Sequence, residues 1–264
     1  MKKIVAFFIF LFCSVTVYAC SCLSFGIPFN QYSSSDLVAD VTITKIYPAE
    51  KKFEKQYYKV DLRYNKIFKG SPVKSMYVYG NTIINGKMHG SFTSCSLGFT
   101  VGQKLIIFEN KDVGGNYMMH YCETRIKNED SYKKSFGYHD STEILRSISS
   151  YNITTNFKNF YIDFNFDVEK RTSDLDTLKG LVVKNKFAAY EITINKDGRI
   201  EEVKTLQSFL SDKDDEILDI IRKKKVTINP ENAGKISNGE KFLFLLFYYP
   251  AGKNHKSFIS QNYL

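Results

Sequence analysis

The residues best placed to do chemistry are Cys20-Ser21-Cys22, directly behind a stretch with the order of a cleavable export signal. Lys2 and Lys3 form a charged start, Ile4 to Cys13 an apolar run, and Val17-Tyr18-Ala19 a small-residue cleavage site. Cleavage after Ala19 makes Cys20 the first residue of the mature protein. A cysteine in that position carries an α-amine, a carbonyl oxygen and a sulfur within one residue. Of the five cysteines, Cys13 leaves with the signal, so Cys20, Cys22, Cys95 and Cys122 remain. An even set in an exported chain predicts disulfides. Cys20 and Cys22 are too close to bond each other comfortably, so each is expected to reach Cys95 or Cys122. Loops of that length contribute up to about 4 kcal/mol each in the chain-entropy model.

Two rival chemistries use the same residues. The cysteines with His89 or His120 could hold a metal, but a C-x-C followed by two distant single cysteines lacks the paired spacing of zinc sites. Lipidation of Cys20 is the other. Lipoprotein signal peptidase also cuts directly before a cysteine, and Ala19 and Val17 suit it whereas Tyr18 does not. A lipidated Cys20 has a thioether in place of its thiol and an acylated amine, and its acyl chains would anchor the protein to a membrane.

Enzyme motifs do not accompany these residues. His89, His120, His139 and His255 are scattered, and neither a nucleophile elbow, a paired-histidine zinc motif nor a phosphate loop occurs. Asp214-Asp215-Glu216 reads as a helix start rather than an acid/base pair. The formal charge of +9 falls to +7 without the signal's two lysines, and its basic residues are dispersed, which predicts a solvated surface and no nucleic-acid partner. The 22 Phe and 18 Tyr, without Trp, predict filled β cores. No cofactor is expected.

The elements that must position Cys20 are strands. Leu37 to Ile46 alternates apolar and polar, Tyr57 to Phe68 is long and β-rich, and Val73 to Tyr79 alternates again. Lys104 to Phe108 and Tyr117 to Tyr121 follow glycine turns, while Asn81 to Gly98 reads as a long loop carrying Cys95. The pattern predicts a mainly β chain with an N-terminal five-stranded barrel. Further on, Ser141 to Ser149 predicts a short helix, and residues 150–180 a strand and connector. Tyr190 to Asn195 with the Asn195-Lys-Asp-Gly198 turn predicts a hairpin, Asp214 to Lys225 a helix, and Phe242 to Tyr249 a strand. The divisions are a signal at 1–19, a barrel at 20–130, a connector at 131–180 and a small α+β domain at 181–264.

Cys20-Ser-Cys-Leu, Ser35-Asp-Leu-Val-Ala-Asp-Val, Tyr58-Lys-Val and Lys66-Ile-Phe-Lys-Gly together resemble the N-terminal domain of the tissue inhibitors of metalloproteinases, part of the wider netrin-like family. The resemblance covers roughly residues 20–130. It implies an OB-type barrel with the pairs Cys20–Cys95 and Cys22–Cys122. The family's third disulfide in this domain and its C-terminal half have no counterpart here. The function it implies is inhibition of a zinc metalloprotease. The Cys20 amine and carbonyl would chelate the target's zinc in trans, Ser21 would cover the pocket for a substrate side chain, and Leu23 and Ser24 would extend the ridge. Thr93 and Ser94, tied in through Cys95, would flank it. Residues 185–250, with Asp197-Gly198-Arg199, Pro230 and Gly234-Lys235, resemble the C-terminal domain of the TonB energy transducer, which implies docking through an open sheet edge. Two readings therefore stand: an exported, non-enzymatic metalloprotease inhibitor, or an envelope lipoprotein that docks other proteins. Localisation follows as periplasmic, outer-membrane-associated or extracellular, with a zinc protease or another envelope protein as partner and a membrane contact only through a lipidated Cys20.

Overall fold

Alternating and short continuous apolar patterns commit close to half of the described residues to strands. The computed structural model describes residues 28–52, 55–93, 96–120, 125–127, 141–153, 160–165, 167, 169, 172–228, 234 and 236–261. β1 (Leu37–Lys52) and β2 (Lys55–Lys69) form a long antiparallel hairpin, and β3 (Ser75–Tyr79) pairs with β2. β4 (Asn81–Ile84) and β5 (Lys87–Gly90) make a small hairpin of their own. β6 (Lys104–Glu109) returns antiparallel to β1, β7 (Met118–Met119) lies parallel to β3, and β8 (Arg125–Lys127) adds to β6.

The protein is mainly β, but the five-stranded barrel does not close. Among the described residues the sheet has six strands in the order β7-β3-β2-β1-β6-β8 and ends on its two shortest members. Of the strand expected over Tyr117 to Tyr121, Met118 and Met119 pair with β3, and the Tyr117 carbonyl accepts the Tyr77 amide at 3.2 Å while Tyr117 also bridges Lys111. Arg125 to Lys127 pair with a different neighbour, β6.

The second half begins with α1 (Ser141–Ile148) and β9 (Phe160–Ile162). β10 (Phe187–Ile194) and β11 (Ile200–Gln207) form the expected hairpin. The Asn195 side-chain oxygen accepts the amides of Asp197 and Arg199, each at 3.0 Å, and Gly198 takes the left-handed φ of 74° that the turn requires. α2 (Asp214–Arg222) starts on three acids and ends on Arg222, matching the helix dipole. β12 (Val226–Ile228) pairs with β9, and β13 (Glu240–Tyr249) and β14 (Phe258–Ser260) complete a four-stranded sheet, β11-β10-β13-β14.

Three apolar layers separate and flank the two large sheets. Leu37, Ala39, Val41, Leu105 and Ile107 fill the layer on the outer side of the first sheet. Phe242, Phe244 and Leu246 point to the layer under α2. Between the sheets, Val38, Ile106 and Phe108 of the first meet Leu243, Leu245 and Phe247 of the second, with Ile144, Leu145 and Ile148 of α1. Alternate residues of β13 thus enter two different cores, and both faces of the strand are apolar. The boundaries drawn at 130 and 181 run through one shared core.

Candidate functional site

Cys20, Ser21, Cys22, Leu23, Ser24, Ser94, Cys95 and Cys122 lie outside the described residues, as do the expected signal at 1–19 and His139. Thr93 and both flanks of the expected ridge are described. The first flank is a 3-10 turn, Pro28–Tyr32, that carries the chain from the Cys-x-Cys segment to β1. Phe29 is its anchor. It is fully buried in the layer between the sheets, edge-on to Phe108 at 5.9 Å and tilted against Phe247 at 5.7 Å. The turn's last carbonyls need donors. The Lys69 ammonium supplies them, donating to the Tyr32 and Ser33 carbonyls at 3.1 and 2.8 Å. The Tyr32 hydroxyl donates to the Phe68 carbonyl at 2.9 Å. Burial holds the Lys69 pKa below its ordinary value, against an opposing pull from Asp36. The entry to β1 is fastened again by Asp36, whose amide donates to the Glu109 carbonyl while its carboxylate accepts the Lys111 amide at 2.9 Å.

The second flank is the segment on either side of Cys95. Leu97 is buried, bridges Gly80 in parallel and accepts a hydrogen bond from the buried Tyr58 hydroxyl at 3.3 Å. A Cβ on Gly80 would strike the Leu97 backbone, so the approach requires glycine at 80. Thr93 is exposed, and its amide donates to the Ser96 hydroxyl at 2.8 Å while the Ser96 amide donates back to the Thr93 carbonyl at 3.0 Å. Phe92, 80% exposed, stands beside it.

The long loop expected over Asn81 to Gly98 is corrected by the β4–β5 hairpin, turned by Asn85 at φ 50° and Gly86 at φ 74°. Asn-Gly between two short apolar stretches is the signal that could have found it. The hairpin lies over the long β1–β2 ribbon and, with residues 98–101, borders a groove of ≈ 610 Å³. Phe99 and Thr82 are buried beside it, and Ile83 and Val101 form its exposed rim at 70% and 62%. Lys45 is its charged residue.

The described histidines are not gathered. His89 sits on β5 opposite Thr82, and His255 packs edge-on to Phe258. The His120 ring lies 5.8 Å from both Tyr57 and Tyr79. Among the described residues, no three His, Cys, Asp or Glu side chains are grouped to hold a metal ion. Asp214, Asp215 and Glu216 occupy the first turn of α2, and the Asp214 carboxylate accepts the Ser211 amide at 3.2 Å. Among the described residues no helix is long and apolar enough to cross a membrane. No protein-family model matches the chain, and no curated protein matches it.

Proposed function

We propose that this chain is an exported, non-enzymatic inhibitor of a zinc metalloprotease, built on a netrin-like, partly open OB-type barrel and acting through Cys20. One observation carries the reading. The two described flanks of the ridge are both fixed to the protein's core, the first by Phe29 and Lys69, the second by Leu97 against Gly80. A segment fastened at its neighbours loses little freedom on binding, and an inhibitor that chelates in trans needs that economy. Catalytic zinc keeps one coordination position open, and an unprotonated α-amine can enter it. With a reference pKa near ~8, the amine loses its proton at modest cost at neutral pH. The strand order, with short end strands that follow each other in the chain, supports a partly open barrel.

The C-terminal α+β unit is given a supporting role. Leu243, Leu245 and Phe247 form one wall of the layer that takes Phe29, so this unit would hold the inhibitory edge in place. Docking by strand addition would take place at the end strands of its sheet, β11 or β14.

The test is inhibition of a panel of zinc endopeptidases by the mature chain beginning at Cys20, beside the same chain with one alanine placed before Cys20. The added residue converts the amine into an amide that cannot ligate zinc. The extended form should be at least ~100-fold weaker, and Ser21→Arg should also abolish inhibition. Equal potency of the two N-termini, or no inhibition of any member, overturns the proposal. A native chain acylated at Cys20 would instead identify an envelope lipoprotein with a docking role.

A further inference from the structure

The groove beside the β4–β5 hairpin is bounded by strand edges without strand partners among the described residues. In a two-residue hairpin, alternate residues turn their backbone groups inward and outward. The Ser91 amide donates to the Gly80 carbonyl on the hairpin's inner side, whereas the Asn81 amide donates outward to the Leu97 carbonyl at 3.1 Å. Two residues on, the Ile83 N–H and C=O therefore also face outward. Among the described residues no pairing to β4 follows Leu97, and β4 belongs to a sheet of two strands. Across the groove, β1 pairs with β6 only as far as Thr42, and Ile43 bonds to Gln103 and Gly102. From Thr44 to Ile46 that edge of β1 has no strand beside it among the described residues, and the same three residues line the groove.

The side chains indicate what would fit. Ile83 stands directly opposite Met88 on the outward face of the hairpin, and both are exposed. Val101 adds a second apolar rim. Lys45 is the groove's charged group, and its ammonium lies over the Tyr47 ring at 4.5 Å with no carboxylate against it among the described residues. Among the described residues, no acidic side chain lines the groove.

We propose that this groove is a second binding site, separate from the Cys20 edge, which takes an extended segment of a partner protein by strand addition to β4. The segment would pair its backbone with Ile83, set an apolar side chain between Ile83 and Val101, and present a carboxylate to Lys45. Backbone pairing supplies affinity, and the apolar and acidic positions supply selectivity.

The experiment uses the full mature chain and a panel of short synthetic peptides that alternate Val or Leu with Asp, each with a control methylated on alternate backbone nitrogens. Backbone NMR should show the amides of Asn81 to Ile84 and of Lys45 shifting at about 1 mM peptide, with the methylated controls at least ~10-fold weaker. Ile83→Pro removes only an outward N–H and should abolish binding. Lys45→Glu should weaken the acidic peptides ~10-fold and favour versions with Lys in place of Asp, which keeps the test decisive if the proline variant does not fold. No shift at Asn81 to Ile84 with any peptide overturns the proposal. So does an Ile83 amide already protected from exchange in the free chain, which would mean that the chain covers its own edge. Binding to anionic phosphatidylserine vesicles, lost in Lys45→Glu but insensitive to Ile83→Pro, would also overturn it in favour of a membrane contact.

Discussion

Replacing Phe29 with alanine should remove the main tie between the N-terminal segment and both sheets. The ring is fully buried and touches Phe108 of β6 and Phe247 of β13 in two aromatic contacts. Truncating a buried Phe costs about 3–5 kcal/mol, of which the aromatic geometry accounts for ~0.5–1.5 kcal/mol. Against a total stability of roughly 5–15 kcal/mol, that loss is large. Phe29→Leu retains most of the volume and should cost under about 1.5 kcal/mol. The assay is equilibrium urea unfolding of the oxidised mature chain, followed by far-ultraviolet circular dichroism and by tyrosine emission, since the chain has no Trp. Both probes should report one transition, because the layer around Phe29 is shared by the two sheets. A Phe29→Ala cost below ~1 kcal/mol would refute the anchoring role. Separate midpoints for the two sheets would refute the shared layer.

Two glycines should separate steric demand from backbone strain. Gly80→Ala brings a Cβ onto the Leu97 backbone and should cost on the order of 3 kcal/mol by urea unfolding, with faster proteolytic cleavage near Thr93. Gly86→Ala meets nothing within 4 Å, so only its φ of 74° is penalised and the loss should be about 1 kcal/mol. Alkaline pH should unfold the protein. Burial raises the pKa of Tyr190, with a further push from Asp214, and burial also raises those of Tyr32 and Tyr64. A tyrosine whose folded pKa is raised binds its proton more tightly when folded. Its contribution is complete below the ordinary value of 10.0 and is lost as pH rises through the folded value. Tyr190→Phe should therefore move the alkaline unfolding midpoint to higher pH in a titration followed by circular dichroism, and an unchanged midpoint would contradict that assignment.

Much of the framework was legible because burial on one face writes itself as alternation. β1, β3, the β10–β11 hairpin and the acid-first start of α2 all lie where periodicity and charge order put them. The β4–β5 hairpin was hidden by its length, since two four-residue strands carry little periodicity and only Asn85-Gly86 marks the turn. The continuous apolar run of β13 predicts a strand but not its two neighbours. That Phe244 meets one core and Leu245 another depends on sheet packing, which no local pattern encodes. The same holds for Phe29, an unremarkable residue in sequence that becomes an anchor only when β6 and β13 come together. Lys69 is also silent in sequence, because its acceptors lie more than thirty residues away. The Cys-x-Cys edge is an expectation from its position behind the expected signal, whereas the groove beside Ile83 depends on how β4 and residues 98–101 come together in space, which no local pattern encodes.

The measurement closest to the central claim is the intact mass of the protein isolated from its native host without reduction, followed by peptide mapping. The inhibitor account predicts a chain that begins at an unmodified Cys20, lighter than the reduced form by the hydrogens that two disulfides remove, with Cys20 joined to Cys95 and Cys22 to Cys122. A Cys20 bearing acyl chains, or a chain that begins at any other residue, would contradict it.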